Sequence, residues 1–490
     1  MATATVHTFF DLRPIILVIG VLLVFLGAAM LVPALVDEAA TPRSSGPIFV
    51  SSLVTMTVGA FMFLATRGAS SGLTTRQAFL MTVLVWVSLS FFGALPFYWS
   101  GVTPTFTDAF FEAISGLTTT GATVILGLDT VQPGILLWRG ILQWLGGLGI
   151  IVMAVSVLPM LQIGGMQLFK VEAFETSDKI LPRARQISGF MTLIFLNLTA
   201  LCMLAYLMAG MNVLDAAVHA MTTVATGGFS NHDASLGHFD SAAIDTIAIT
   251  FMVIGSLPFL LYVQALQGQM GPLFRDGQVR TFLALLAVLI LAAFFIETAS
   301  GVREGTNALR FAAVNVTSIL TGTGYATTAY DGWGSVAVAL FFFIMFIGGC
   351  AGSTSCGIKI FRFQVLFQNL RQHLSQVLYP HGIFTQRFNG KPISDDVVSA
   401  VISFFFLYML TFAISAMALS LVGVDPVTAL SGAGSAISNV GPGLGAIIGP
   451  AGNYQTLPDA AKWILAATML VGRLELFTVL VMLSPRFWQV

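Results

Sequence analysis

Ten apolar runs, each about 20 residues or longer, follow one another along the 490-residue chain, at 14–35, 47–66, 78–98, 132–160, 187–210, 242–267, 280–299, 334–358, 396–422 and 462–483. A helix of that length crosses the hydrocarbon of a bilayer, and so many runs exclude a water-soluble fold. Only 9% of residues are charged, against about a quarter in soluble domains. The first run lacks a small-residue cleavage site and is long enough to span, so it reads as a span and not as a cleaved leader. The formal net charge of −1 indicates neither nucleic acid nor an acidic substrate. Cys202, Cys350 and Cys356 lie in apolar stretches and imply no disulfide framework.

Basic residues orient the spans. With the N-terminus in the cytoplasm, 15 of the 21 Lys and Arg fall inside. Arg43, Arg139, Arg303, Arg310 and Lys462 fall outside, and Arg473 lies within the last run. Fourteen acids, among them Asp108, Glu112, Asp129, Asp215, Asp245 and Glu297, face the outer side. That excess makes the outer face attractive to cations.

Four further segments, at about 104–125, 212–230, 306–326 and 425–445, are too short and too polar to cross. Each lies on the outer side between two spans and runs from a short apolar helix into Thr, Gly, Ser or Asn. In register they read DAFFEAISGLTTTGAT from Asp108, DAAVHAMTTVATGGFS from Asp215, FAAVNVTSILTGTGYA from Phe311 and TALSGAGSAISNVGPG from Thr428. A glycine falls 13 residues after each start: Gly121, Gly228, Gly324 and Gly441, at spacings of 107, 96 and 117. The chain therefore divides into two leading spans (1–75) and four repeats (76–165, 166–275, 276–380 and 381–490). Each repeat is span, re-entrant segment, span, so all four share one orientation and enclose one path. The fold class is an all-α polytopic membrane protein, with ten transmembrane helices and four parallel repeats around a pseudo-fourfold pore.

Non-helical backbone survives at membrane depth only where it is buried or lines water. Extended Thr/Gly backbone there can aim carbonyl oxygens inward in place of a cation's hydration shell. The candidate ion-binding residues are Thr118, Thr119, Thr120 and Gly121; Ala225, Thr226, Gly227 and Gly228; Thr321, Gly322, Thr323 and Gly324; and Ser438, Asn439, Val440 and Gly441. The short helices point the negative ends of their dipoles at the same place. Glu112 and His219 share a repeat position, nine before the glycine, suited to a hydrogen bond behind the strand. His219, His232 and His238 could form a ligand cluster; solvated outer-loop side chains are the plainer reading.

The stretches TTTGAT (118–123), TTVATGGFSNHD (222–233), TGTGYATTAYDGWG (321–334), ISNVGPGLG (437–445), QWLGGLGI (143–150), LPMLQIGGMQLF (158–169), GGCAGSTSCGIKIFR (348–362) and VGRLE (471–475) resemble the Trk/Ktr/HKT superfamily of potassium transporters, in particular its bacterial Trk membrane subunits. The resemblance spans essentially the whole chain. It implies K+ at the four strands and a homodimer in the bacterial inner membrane. It also implies a cytosolic RCK-type nucleotide-binding regulatory subunit of the TrkA kind. Any ATP, ADP or NAD would then sit on that partner, since this chain has no Gly-rich phosphate fingerprint and no Walker A motif. The potassium-channel TVGYG pattern is not reproduced. Glycine at 121, where sodium-preferring plant relatives carry serine, favours potassium by resemblance.

Arg473 lies deep in the last run, where a charge costs about 2.5–3.5 kcal/mol on insertion scales and needs a partner or water. The resemblance makes it a pore-facing barrier below the strands; the alternative is an anchor bonded to carbonyls at a helix junction. The eighth run is interrupted by glycine and small polar residues, among them Gly348, Gly349, Gly352, Ser353 and Gly357, shortly before Lys359. By resemblance this is an intramembrane gate loop. The cytoplasmic connections 161–186 and 359–395 would meet lipid headgroups or a regulatory partner. No paired acid–base or metal constellation marks an enzyme. A secondary transporter coupling potassium to protons or sodium is the alternative function, with Glu475 the one acid deep in a span.

Overall fold

The protein is almost wholly helical in the computed structural model, which describes residues 11–40, 45–68, 73–156, 180–382 and 384–488. Among these the one sheet is a small antiparallel hairpin, Arg387–Phe388 with Lys391–Pro392. Each of the ten apolar runs is at least partly helical. Among the described residues seven helices, from Arg13–Ala40 to Asp395–Leu421, are long and apolar enough to cross a membrane, or up to nine spans when two bent pairs are each counted as one. The eighth run supplies only the ten-residue helix Ser335–Ile344 before leaving helix until Ile360. In the leading pair, Arg13–Ala40 and Gly46–Ala65 approach closely at Gly20 and Gly59. A Cβ on either would lie 2.7–2.8 Å from the other's carbonyl oxygen. Small residues permit such approach where lipid leaves helix association to packing.

Two runs that read as continuous are bent. Ala242–Gly255 turns by 90° into Phe259–Leu266, and Asp459–Arg473 turns by 108° into Phe477–Leu483. At the first bend Pro258 lacks an amide proton, and the freed groups find partners in the interrupted eighth run. The Phe259 amide donates to the Gly352 carbonyl at 2.9 Å, and the Cys350 amide donates to the Ser256 carbonyl at 2.9 Å. At the second bend Glu475 and Leu476 adopt left-handed φ of 60° and 45°.

The connection 359–395 contains the 19-residue helix Ile360–Leu378. Its charged and amide side chains keep it below the hydropathy of a span, while Ile360, Phe361 and Val365 anchor its start. In the connection 161–186, residues 161–179 lie outside the described residues, as does the LPMLQIGGMQLF stretch.

The four short segments start as helices: Phe106–Leu117, Val213–Val224, Gly305–Leu320 and Pro426–Ser438. Three begin on side-chain caps, as the polar residue ahead of each apolar run dictates. Thr105 accepts the Asp108 amide at 3.1 Å, Asn212 the Asp215 amide at 2.8 Å, and Asp425 the amides of Val427 and Thr428 at 3.1 Å. Asp108 is also ion-paired with Lys462 at 2.5 Å, which fastens the first short helix to the last span.

Candidate functional site

The segment leaving each short helix takes one repeated backbone form. The registered glycines Gly121, Gly228, Gly324 and Gly441 have φ of 86°, 75°, 86° and 103°. Two residues earlier Thr119, Thr226, Gly322 and Asn439 are also left-handed, at 51°, 49°, 73° and 52°. Alternating left-handed and ordinary φ flips every second peptide plane, so successive carbonyls of a strand can share one side.

The four strands close into a ring. A Cβ on Gly121 would collide with the carbonyl of Gly227, one on Gly228 with that of Thr323, one on Gly324 with that of Val440, and one on Gly441 with that of Thr120. Each of those carbonyls belongs to the residue just before the neighbour's registered glycine. First meets second, second third, third fourth, and fourth first. All four glycines line one outer vestibule. The helices ending at Leu117, Val224, Leu320 and Ser438 direct their carbonyl ends into this ring, each carrying roughly half a negative charge.

The strands are braced from behind by polar side chains at matching positions. Glu112 accepts from the Thr123 hydroxyl at 3.0 Å and the Val124 amide at 2.9 Å. His219 meets Ser230 Oγ at 2.9 Å, and Asn315 accepts the Thr327 amide at 3.1 Å. The same register position in the fourth repeat is Gly432, and Ser431 accepts the Leu444 amide instead, at 3.0 Å. Arg139 joins two repeats: it pairs with Glu112 at 2.8 Å, donates to the Ser230 carbonyl at 2.6 Å, and packs 4.1 Å above the Phe229 ring. Gln143 brackets Gly228, donating to the Gly227 carbonyl at 2.6 Å and accepting the Phe229 amide at 3.0 Å. The Tyr325 hydroxyl meets Thr222 at 2.5 Å and Thr223 at 3.1 Å. The Asn439 amide group donates to Thr120 Oγ1 at 3.0 Å, so the fourth strand holds the first.

The Gly348–Gly357 loop lies directly under the ring. Ser355 donates to the Thr321 carbonyl at 2.6 Å, and Thr354 to the carbonyls of Val224 and Gly255 at 3.1 and 2.9 Å. Cys356 Sγ is 3.6 Å from Thr119 Oγ1, and Lys359 Nζ donates to the Ser355 carbonyl. Arg473, the last residue of its helix, reaches the loop: its Nη1 lies 2.5 Å from Cys356 Sγ and 3.3 Å from the Thr354 carbonyl. Nη2 donates to the Gly146 carbonyl at 3.3 Å. Arg473 is thus bonded to carbonyls at a helix junction and held against the loop below the strands. Glu475 takes Arg362 as its partner at 2.5 Å.

Of the expected strand residues, the registered glycines and Thr120, Gly227, Thr323 and Val440 meet in the ring, while Thr118, Ala225 and Thr321 cap their helices, Ser438 closes its own, and none of these four is extended. The three histidines part company. His219 is buried behind the second strand, contrary to the solvated reading, and His232 is half-buried between Asp129 and Asp215. His238 alone is exposed. Gln143, Asn315, Tyr325 and the Arg362–Glu475 pair are functional candidates not assigned from sequence. Asn315 could have been found by extending the Glu112 and His219 register to the third repeat. The bases placed outside do not oppose cations freely: Arg139 pairs with Glu112, Arg303 with Glu297, Arg310 with Asp240 and Asp245, and Lys462 with Asp108.

Comparison with known proteins agrees with this geometry. Residues 45–490 match the TrkH family model, described as a cation transport protein. The chain is 43% identical to the Trk system potassium uptake protein TrkI of Halomonas elongata, covering 97% of each chain. It is 37% identical to the Trk system potassium uptake protein TrkH of Escherichia coli K12, over 97% of this chain and 99% of that one. The crystal structure of the potassium transporter TrkH from Vibrio parahaemolyticus superposes with a TM-score of 0.90 at 36% identity, over 98% of this chain and 100% of that one.

Proposed function

This chain belongs to the TrkH family of cation transport proteins, and from that membership and the site geometry we propose that it is the multi-pass, ion-conducting subunit of a system for potassium uptake across a bacterial inner membrane. Potassium sheds water at the ring and is held by backbone carbonyls of the four strands. The observation that carries the reading is the cyclic contact of the registered glycines with their neighbours' carbonyls. In this reading the Gly348–Gly357 loop occludes the path below the ring, with Lys359 bracing it, and Arg473 sets a positive barrier there. The N-terminus is cytoplasmic. The functional unit is a homodimer on a cytosolic nucleotide-binding subunit, which carries any ATP, ADP or NAD, while this chain carries potassium alone as its ion.

Tight coupling to protons or sodium would need a protonatable residue or a second ion site at mid-membrane, and Glu475, the acid deep in a span, is bonded to Arg362. The deciding experiment is the reversal potential of the reconstituted chain in mixed potassium and sodium. A reversal potential set by potassium is expected. A sodium-set or gradient-insensitive potential would refute the reading.

A further inference from the structure

One cluster of donor atoms at the outer rim has no part in the transport reading. Asp129, from the loop after the first strand, meets His232 and His238, from the loop after the second, and one ligand atom of each lies within 4.8 Å of the others. His232 Nδ1 is 2.5 Å and His238 Nδ1 3.9 Å from the same Asp129 oxygen. The imidazoles stack with centroids 3.5 Å apart and planes 3° from parallel, both with Nδ1 on the side of Asp129. The other nitrogen of His232, Nε2, lies 3.2 Å from Asp215 Oδ2. Asp215 is itself held by Asn212 at 2.7 Å and Asn231 at 2.8 Å. A carboxylate behind the second ring nitrogen is the arrangement that orients metal-binding histidines. With Nε2–H donated to Asp215, Nδ1 shares a proton with the Asp129 oxygen, and a metal ion would take that proton's place and draw the two ligand atoms apart.

We propose that Asp129, His232 and His238 form a site for a divalent transition-metal ion of the zinc class, and that its occupancy slows potassium access to the ring. Two imidazoles and one carboxylate suit Zn2+, Ni2+ or Cu2+ and not Mg2+ or Ca2+, and water completes a tetrahedral Zn2+ shell. The loops that carry the ligands are clamped together. The Leu128 amide donates to Asp233 at 3.1 Å, the Gly237 amide to the Ala326 carbonyl at 3.2 Å, and the Ala326 amide to Ser235 at 3.3 Å. Asp129 and His238 are each 45% exposed, so an ion has access, and rotation of the exposed His238 ring opens the stack enough for coordination. His232 and Leu128 line the same vestibule as the four registered glycines, which places the ion's charge in the mouth of the path.

The effect on flux rests on the potassium-transport reading; the binding does not. The test uses the full chain, purified and reconstituted. Zn2+ binding is titrated against a chromophoric chelator, and potassium flux is measured with Zn2+ on the outer side. One Zn2+ should bind per chain, unaffected by Mg2+, and flux should fall as the site fills. His238→Ala and Asp129→Asn should each weaken binding and inhibition by about tenfold or more, with zinc-free flux at saturating potassium unchanged. Equal Zn2+ affinity in the parent chain and both variants would overturn the site. Zn2+ bound at this site with flux unaltered would overturn the slowing of access. Absence of zinc-free potassium flux in the parent chain would strike the transport reading instead, and the titration would still decide the site.

Discussion

A side chain at position 121 has no free space, because its Cβ would fall on the Gly227 carbonyl. Gly121→Ser must therefore displace one strand of the ring, loosening the fit to potassium and raising relative sodium permeation; an unshifted reversal potential would show that the first strand does not set selectivity. Arg139 and Glu112 are both fully buried, and removing one member of such a pair leaves a buried charge uncompensated. Arg139→Met should destabilise the fold by about 3–5 kcal/mol, read as a lower thermal midpoint in detergent, with the first and second strands affected together. At Arg473 two roles are separable. With an effective dielectric of about 20, a unit charge about 6 Å from a passing cation repels it by about 3 kcal/mol. Arg473→Ala should raise potassium flux per folded molecule, aided by lost bonds to Cys356 and Thr354. Low yield with unchanged flux per molecule would make Arg473 an anchor only. Residues of this kind differ in legibility. The registered glycines were visible because four copies in one chain act as an internal comparison. Gln143 was not, because its partners are 84 and 86 residues away and no repeat of its own marks it.

Among the elements, the interrupted eighth run and the bend of the sixth form one unit. The amides of Cys350 and Thr354 bond the carbonyls of Ser256 and Gly255, and the Phe259 amide bonds the Gly352 carbonyl. Backbone released by one break is satisfied by the other, as it must be at membrane depth. The glycine and serine density made the first break legible. The second was hidden, because hydropathy registers Ala242–Leu266 as one apolar stretch, and Pro258 within a span can equally kink or simply bend it. The loop is fixed to the ring through Ser355 and Thr321 and to the sixth run through Thr354. Deleting Ala351–Ser353 removes the Cys350 and Gly352 contacts and draws the loop off the axis. Basal potassium flux should rise at matched folded yield, and flux at or below that of the unaltered chain would count against a gating role.

For the whole molecule, charge is distributed by side and then edited by pairing. Counting along the sequence revealed an excess of acids outside, but not that four of the five outer bases are bound to acids. Ion pairing joins positions as distant as Lys462 and Asp108, which counting cannot see. The pairing neutralises those bases locally, and the remaining acids, such as Asp233 at the vestibule wall, shape the field at its mouth. Helix dipoles add to it, since four carbonyl ends converge on the ring. A field of this kind concentrates cations ahead of the path, so it acts on the rate of arrival and not on the rate of passage. Mobile ions shorten its reach from about 30 Å at 0.01 M to about 3 Å at 1 M ionic strength. Raising a bulky, non-permeant salt on the outer side across that range should lower uptake several-fold at subsaturating potassium and leave the saturated rate unchanged. The same salt added only inside should have no such effect. The measurement is initial potassium uptake into oriented vesicles at matched osmolarity. A fall in the saturated rate would place the salt effect on the ring or the loop, and no fall at either concentration would mean that the outer acids balance their surroundings and do not steer potassium.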